Sequence, residues 1–310
     1  MTQPSARAGH RRIWMGAATG IVLIIVALVA AVLPRSTPSP NSTQPISHIG
    51  LYDRSASYAS VAPFTAATGV KPDVLTYYSS WLEPFRTSFA QAAAQHGAVT
   101  LVEINPDNIS LGAIAGGQYD GYLRSYAQAV RAYRRRVILS FGHEMNGHWY
   151  TWGFTHASPP AFVAAWRHVV DVFRGLGVRN VTWLWTVNII NMAGGAPPPA
   201  RWWPGGSYVT WVGIDGYYYR PSWTFTSLFG PTIAAVRALT RDPILISETG
   251  APQGPDQPSK IADLFAGIRL YQLLGFVWFD AKADKDWRLS SPAAFAAVRQ
   301  GAGSQHRTGS

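Results

Sequence analysis

The sequence predicts an α/β fold of the (β/α)₈, or TIM, barrel class. The chain has 310 residues, of which 47% are hydrophobic, so it can bury one large core. Eight short apolar runs follow one another at intervals of 25 to 44 residues. Helical patterns lie in the intervals between them. Eight strands that alternate with helices over about 250 residues have the size and rhythm of this barrel.

The apolar runs are the predicted strands, at residues 49–52, 74–77, 99–104, 137–141, 181–186, 212–216, 244–247 and 276–279. The clearest helical patterns cover residues 160–176, 228–239, 259–274 and 292–299. A doubly wound open sheet is the alternative fold. That fold requires a glycine-rich phosphate loop after its first strand, and residues 53–57 (Asp-Arg-Ser-Ala-Ser) do not form one.

A long apolar segment precedes the predicted barrel. Residues 13–33 form a run of 21 without a charge, enough to cross ~30 Å of hydrocarbon at ~1.5 Å per residue. Arg7, Arg11 and Arg12 come before it, which predicts that the N-terminus (1–12) stays inside and the body lies outside. We therefore expect a single-pass anchor in the cell membrane. A cleaved signal peptide, which would give a secreted protein, is the alternative.

The remaining boundaries follow from composition. Residues 34–47 are rich in Pro, Ser and Thr and predict a linker, the barrel is expected at 48–301, and residues 302–310 are expected to be a disordered tail. The chain has no cysteine, which excludes disulfides and thiolate metal sites. Its net charge of +10 includes no Lys/Arg run of the nucleic-acid-binding type. We expect a monomer whose partners are the lipid bilayer, through residues 13–33, and a substrate rather than a nucleic acid.

Two carboxylates stand at the C-terminal ends of predicted strands. Glu144 follows the fourth strand and Glu248 the seventh, 104 residues apart, and tryptophans surround the first. The fourth and seventh strands of such a barrel face each other across the mouth, where barrel active sites lie. A pair of acids at this place suits cleavage of a glycosidic bond, in which one acid protonates the leaving oxygen and the other attacks or stabilises the anomeric carbon.

Two other patterns near these acids do not indicate metal sites. His143 and His148 flank Glu144 at a spacing of five residues, whereas the zinc-protease motif needs histidines four apart on one helical face. Asp280, Asp284 and Asp286 match no standard calcium loop and are interpreted as a solvated loop.

Several segments resemble glycoside hydrolase family 26 in the same order along residues 48–300. The run His143-Glu-Met-Asn-Gly-His-Trp-Tyr-Thr-Trp-Gly153 is similar to the family's acid/base signature, with Thr151 in place of the usual Pro. The segments similar to its sixth, seventh and eighth strands are Ile214-Asp-Gly-Tyr217, Ile246-Ser-Glu-Thr-Gly250, and Val277-Trp-Phe279 followed by Asp286-Trp-Arg288.

The resemblance implies a retaining mechanism that uses no metal and no organic cofactor. Glu144 would be the general acid and then the base, and Glu248 the nucleophile, with carboxyls about 5–5.5 Å apart. The residues implied to bind substrate are His143, Trp149, Tyr217 and Trp278. A purely structural role is the alternative for His143, and the end of the third strand adds Glu103 and Asn105 as candidate contacts.

The electrostatic needs of the two acids differ. The general acid must hold its proton near neutral pH, which calls for an apolar setting that raises its pKa. Trp149, Tyr150 and Trp152 are expected to supply that setting. The nucleophile must stay ionised, and a hydroxyl donor such as Tyr217 favours its charged form.

The sequence thus predicts an exported, membrane-anchored, retaining endo-β-glycosidase that hydrolyses a mannan-, β-glucan- or xylan-type polysaccharide. Two alternatives remain open at this point. One is a non-hydrolytic carbohydrate-binding or polysaccharide-assembly protein on the same scaffold. The other is a transglycosylase that uses the same intermediate.

Overall fold

The structure is a computed structural model that describes residues 46–52, 58–190 and 197–303. The predicted anchor at 13–33, most of the linker and the tail from residue 304 lie outside the described residues. Within the described ranges, no helix combines the length and the apolar character needed to cross a bilayer.

Eight parallel strands close into a barrel in sequence order, which confirms the predicted fold class. Each strand pairs with the next, and the last pairs with the first over five residues, His48↔Gly275 to Tyr52↔Phe279. The strands are β1 (His48–Tyr52), β2 (Val74–Ser80), β3 (Val99–Asn105), β4 (Val137–Phe141), β5 (Val181–Asn188), β6 (Trp211–Asp215), β7 (Ile244–Thr249) and β8 (Gly275–Phe279).

Helices surround the barrel. The four helical patterns named from the sequence correspond to the last four helices, with ends displaced by up to four residues. The last helix ends at Ala302, just past the predicted end of the barrel at 301. The helices are α1 (Val61–Thr68), α2 (Thr87–Gln95), α3 (Leu111–Ala115), α4 (Asp120–Tyr133), α5 (Pro159–Gly175), α6 (Phe225–Arg237), α7 (Gln257–Leu270) and α8 (Pro292–Ala302).

Local signals in the sequence explain where the helices begin. The hydroxyl of Ser158 accepts a hydrogen bond from the N–H of Ala161, and Pro159 follows it at the first helical position of α5. Thr224 and Ser227 form a reciprocal capping box at the start of α6. Each cap satisfies backbone N–H groups that have no partner inside the helix.

One layer of apolar side chains fills the lower interior of the barrel. Seven of the eight strands contribute one large residue each to a separate buried cluster: Val74, Leu101, Ile138, Leu184, Trp211, Leu245 and Val277. The eighth position of this layer, on β1, is Gly50, whose missing side chain leaves room because a Cβ there would lie 2.6 Å from Val277 Cγ2. Side chains of alternate residues fill barrel interiors in such layers.

A polar layer lies directly above it. Two residues further along their strands, the inward positions hold Thr76, Glu103, Ser140, Thr186 and Ser247, all at most 3% exposed. The hydroxyls of Ser140 and Thr186 lie 3.2 Å apart. Ser247 donates a hydrogen bond of 2.6 Å to Asp215 Oδ1 at the end of β6. The barrel therefore turns from apolar to polar toward its C-terminal mouth.

Gly275 offers a test of barrel closure. Its φ is +149°, and a Cβ there would lie 1.8 Å from the carbonyl oxygen of His48, the residue with which it pairs. We expect Gly275→Ala to lower the free energy of unfolding by at least about 2 kcal/mol, because backbone atoms cannot move aside as a side chain can. Urea unfolding of the domain measures this.

The matched control is Gly121→Ala in the first turn of α4, where a Cβ would meet no atom within 4 Å. We expect that variant to be at least as stable as the wild type. Equal stability of both variants would contradict the close β1–β8 approach.

Candidate active site

The C-terminal mouth of the barrel contains a cavity of about 450 Å³. Its lining residues in the described part of the chain are Glu144, Trp149, Asn188, Ile189, Gly216, Tyr217, Tyr219, Glu248 and Asp284. Both predicted catalytic acids therefore line one cavity, together with Trp149 and Tyr217. No Lys or Arg is among these described lining residues.

An unusual backbone conformation places Glu144. Gly142 and Glu144 directly follow β4, with φ values of +58° and +54°. A left-handed conformation is uncommon for a residue that carries a Cβ, and it ends the strand with a sharp turn. The Glu144 N–H donates to the carbonyl of Thr186 on β5, which ties the turn to the neighbouring strand. The side chain is thus held at the rim, 7% exposed.

Two donors hold the carboxyl group of Glu144. The indole N–H of Trp149 donates to Oε2 at 2.7 Å, and the amide of Asn188 donates to Oε1 at 2.5 Å. Burial raises the pKa of Glu144 to about 7, while the hydrogen bonds from Asn188 and Trp149 oppose the rise. Burial raises the pKa as the sequence led us to expect, but the N–H of Trp149 acts in the opposite direction because it stabilises the charged form.

A β-bulge directs Glu248 into the mouth. Between β6 and β7 the register runs from Gly213↔Leu245 to Asp215↔Glu248, so three steps on β7 match two on β6. The same extra residue shifts the pairing with β8. Since Ser247 already points inward to Asp215, regular alternation would turn Glu248 outward. The bulge restores it to the interior, a role that bulges commonly have beside active sites.

Tyr217 is placed as the sequence predicted, with its hydroxyl donating to Oε1 of Glu248. Burial raises the pKa of Glu248 to about 8. The hydroxyl of Tyr217, as a donor to this carboxylate, favours the ionised form that a nucleophile requires. Tyr217 itself packs against the rings of Trp287 and Phe279, with centroids 4.5 Å and 5.9 Å away. Its orientation toward Glu248 is thereby fixed on two sides.

His143 does not line the cavity in this structure. It is 2% exposed and lies between its Nε2 partner, the Tyr150 hydroxyl at 3.0 Å, and Glu103, whose Oε2 is 3.7 Å from Nδ1. Burial lowers the pKa of His143 to about 3, so its ring is neutral. His143 is not among the residues that line the cavity, so its position supports the structural alternative.

Trp278 is placed differently from the prediction. It is 2% exposed, packs in the cluster between the sheet and the helices, and donates its indole N–H to the carbonyl of Trp287 at 3.1 Å. The reason is alternation, because Val277 belongs to the interior layer and its neighbour must face outward. The residue of β8 that faces the mouth is Phe279, which stacks on Tyr52 at 4.7 Å.

The structure adds residues that the sequence interpretation missed. Asn188 ends the apolar strand β5, and that polar residue at a strand's C-terminal end was the available signal. Tyr219 and Asp284 also line the cavity, although Asp284 was interpreted as part of a solvated loop. Across the described residues, no group of three or more His, Asp or Glu side chains is arranged to hold a metal ion.

Comparisons with known proteins identify the family of this chain. The sequence model of glycosyl hydrolase family 26 matches residues 118–287, which include Glu144 and Glu248. Endoglucanase H of Acetivibrio thermocellus is 31% identical over 271 residues, which are 81% of this chain and 30% of that protein. Mannan endo-1,4-beta-mannosidase of Bifidobacterium adolescentis is 26% identical over 152 residues, or 46% of this chain and 14% of that protein. The chain thus spans less than a third of either relative.

Solved structures share the fold. The catalytic domain of an endo-beta-1,4-mannanase from Bacillus sp. JAMB-750 superposes with a TM-score of 0.68, covering 86% of this chain and 87% of that one. At 15% identity this similarity shows a common fold and nothing finer. The family model, by contrast, covers more than half of the 310 residues and both acids at the barrel mouth. The chain therefore belongs to glycosyl hydrolase family 26.

Proposed function

We propose that this protein is a retaining endo-β-glycosidase in which Glu144 is the general acid/base and Glu248 the nucleophile. The observation that carries the proposal is the meeting of these two acids in one cavity, each with its own hydrogen-bond donors. A protonated acid and an ionised carboxylate are the two groups that double displacement requires.

Glu144 and Glu248 each have a defined role in both steps of this reaction. In the first, the carboxylate of Glu248 bonds to the anomeric carbon while Glu144 gives its proton to the departing glycosidic oxygen. In the second, Glu144 takes a proton from water, the water oxygen bonds to the anomeric carbon, and the bond to Glu248 breaks. Asn188 and Trp149 suit the second step, because they stabilise Glu144 when it is ionised.

A β-glucan is the proposed first substrate. A relative that is 31% identical over 81% of this chain is named an endoglucanase. Relatives named mannan endo-1,4-beta-mannosidase match 46% and 36% of the chain at 26% identity, and one named beta-1,3-xylanase matches 75% at 23%. Mannan and β-1,3-xylan are therefore the substrates to compare.

Export and anchoring complete the proposal. The charge-free residues 13–33 and the arginines before them support an inside N-terminus and an outside barrel. A polysaccharide too large to enter a cell requires such an outside enzyme.

Single substitutions of the acids test the mechanism. We expect Glu144→Gln to lower kcat on β-glucan by about 10²–10⁴-fold and Glu248→Gln by about 10⁴-fold or more, since the first loses proton transfer and the second the covalent step. Hydrolysis of mixed-linkage β-glucan, β-mannan and β-1,3-xylan measures this. For the wild type, ¹H NMR should show the β-anomer as the first product.

Chemical rescue separates the two roles. With an aryl β-glycoside that has a good leaving group, azide should restore turnover to Glu144→Ala and give the β-glycosyl azide, but should give the α-azide with Glu248→Ala. Glu83→Gln is the control, because this acid pairs with Arg86 on the surface and does not line the cavity. Full activity of either catalytic variant would refute the assignment.

The alkaline limb of the pH profile tests the hydrogen bond from Trp149. Glu144 acts as an acid only while protonated, so kcat/KM should fall as pH rises through its pKa of about 7. Trp149→Phe removes a donor to the charged form, which raises this pKa further. The alkaline limb should move to higher pH by up to about one pH unit, the worth of one hydrogen bond.

Trp223→Phe is the matched control, because Trp223 lies outside the cavity lining and should leave the profile in place. An alkaline limb that stays or moves to lower pH in Trp149→Phe would show that the indole N–H does not act on Glu144.

Membrane fractionation tests the anchor. The full chain expressed in a bacterial host should stay with the membrane after carbonate extraction. Replacing Ile24 and Ile25 by Arg should release it, since each Arg costs about 2.5–3.5 kcal/mol at the centre of a span. Replacing Ser36 and Ser39 by Arg is the control. Wild-type protein found shortened in the medium would instead indicate a cleaved signal peptide.

A further inference from the structure

The proposed reaction gives no role to the buried carboxyl group of Glu103. It points into the polar layer from β3 and is 3% exposed. Among the described residues, its Oε2 and the Nδ1 of His143 are both buried without a hydrogen-bond partner. These two atoms lie 3.7 Å apart, so an approach of about 0.8 Å would make a normal hydrogen bond.

The neighbouring hydroxyl groups leave the hydrogen bond between Oε2 of Glu103 and Nδ1 of His143 as the one still open to Glu103. The hydroxyl of Ser140 lowers the pKa of Glu103, as a donor to its carboxyl group does, and a hydroxyl has only one hydrogen to give. If Ser140 gives its hydrogen to Glu103, Thr186 is the donor in the contact between Ser140 and Thr186. With these hydrogens assigned, Oε2 of Glu103 is free to interact with His143.

The state of Glu103 also determines how the other ring nitrogen of His143, Nε2, bonds on the side toward the cavity. Nε2 lies 3.0 Å from the hydroxyl of Tyr150. If Glu103 donates to Nδ1, the ring hydrogen sits on Nε2 and donates to the oxygen of Tyr150. If Glu103 is ionised, the hydrogen sits on Nδ1, and Tyr150 must donate its own hydrogen to Nε2.

The charges around Glu103 favour its protonated form at neutral pH, in which it donates a hydrogen bond to Nδ1 of His143. Burial and repulsion from Glu144 raise the pKa of Glu103 to about 8, against a weaker opposing effect of the Ser140 hydrogen bond. Burial keeps His143 neutral. Asp215 on β6 also acts on this group of acids, and the ring of Tyr78 on β2 packs against His143 at 5.4 Å. No described Lys or Arg contributes to these shifts, so the Ser140 hydroxyl, and no cation, favours an ionised Glu103.

We propose that Glu103 is a positioning residue that acts through His143. As a carboxylic acid, Glu103 donates a hydrogen bond to Nδ1 and so holds the ring in the Nε2–H tautomer. The hydroxyl hydrogen of Tyr150 is then available to the catalytic acid, Glu144. Tyr150 is close enough to Glu144 for the two to interact electrostatically. A free O–H there stabilises Glu144 when it has given up its proton. The inference rests on the proposed function only for the role of Glu144.

The tautomer of His143 is directly measurable. In ¹⁵N-labelled protein, long-range ¹H–¹⁵N spectra distinguish the Nε2–H, Nδ1–H and doubly protonated rings, and the spectrum of His143→Gln identifies the signal among eight histidines. We expect Nε2–H at pH 6 and a change to Nδ1–H as pH rises past about 8, where Glu103 ionises. In Glu103→Gln the change should be absent, because the amide donates to Nδ1 at every pH.

An Nδ1–H or doubly protonated ring at pH 6 in the wild type would overturn the proposal. So would a pH-independent wild-type tautomer, or a tautomer change that persists in Glu103→Gln. These spectra need no substrate, so they hold whether or not the proposed hydrolysis is observed. Asp73→Asn is the matched control, because Asp73 contacts His48 Nδ1 at 2.9 Å at the opposite end of the barrel.

Kinetics give a second readout. Glu103→Leu should lower kcat by about tenfold, the worth of one hydrogen bond, with a smaller effect on KM. Glu103→Gln should restore most of that loss, and Asp73→Asn should match the wild type. Equal losses in the Leu and Gln variants, or a loss confined to KM, would contradict a positioning role through hydrogen-bond donation.

Discussion

The pairing of β1 with β8 is the constraint on which the other features of this domain depend. Closure gives all eight strands a neighbour on both sides, so no backbone edge is left open. It also encloses an interior that side chains must fill, with Gly50 and Val277 fitting against each other where the chain's first and last strands meet. Because the strands are parallel, closure brings every C-terminal strand end to one rim.

The acids at that rim are largely buried. Glu103, Glu144 and Asp215 are at most 7% exposed, and Glu248 is partly exposed beside them. Desolvation raises the pKa of each, and the structure responds with neutral donors rather than with cations. An indole, an amide and three hydroxyls hold these carboxyls without forcing them to stay charged, which suits groups that must exchange protons during a reaction.

Local departures from regular strands decide which acids reach the cavity. Side chains along a regular strand point alternately to its two faces. The left-handed turn at Glu144 and the bulge in β7 both interrupt this alternation at the end of a strand. Such conformations cost free energy, and the surrounding hydrogen bonds, such as Glu144 N–H to Thr186, maintain them. The rim thus sets the geometry of the proposed catalytic acids, while the regular parts of the strands support it.

The sequence alone determined the barrel and the strands that carry the two acids, because hydrophobic periodicity and the spacing of apolar runs are local properties. It also indicated Tyr217 through its resemblance to a known family. Only the tertiary structure decided the placement of Trp278, His143 and Glu103. It also decided the donor role of Asn188 and the inward turn of Glu248. Which face a side chain takes depends on strand register and bulges, and these are set by pairing with strands that lie 25 or more residues away in the chain.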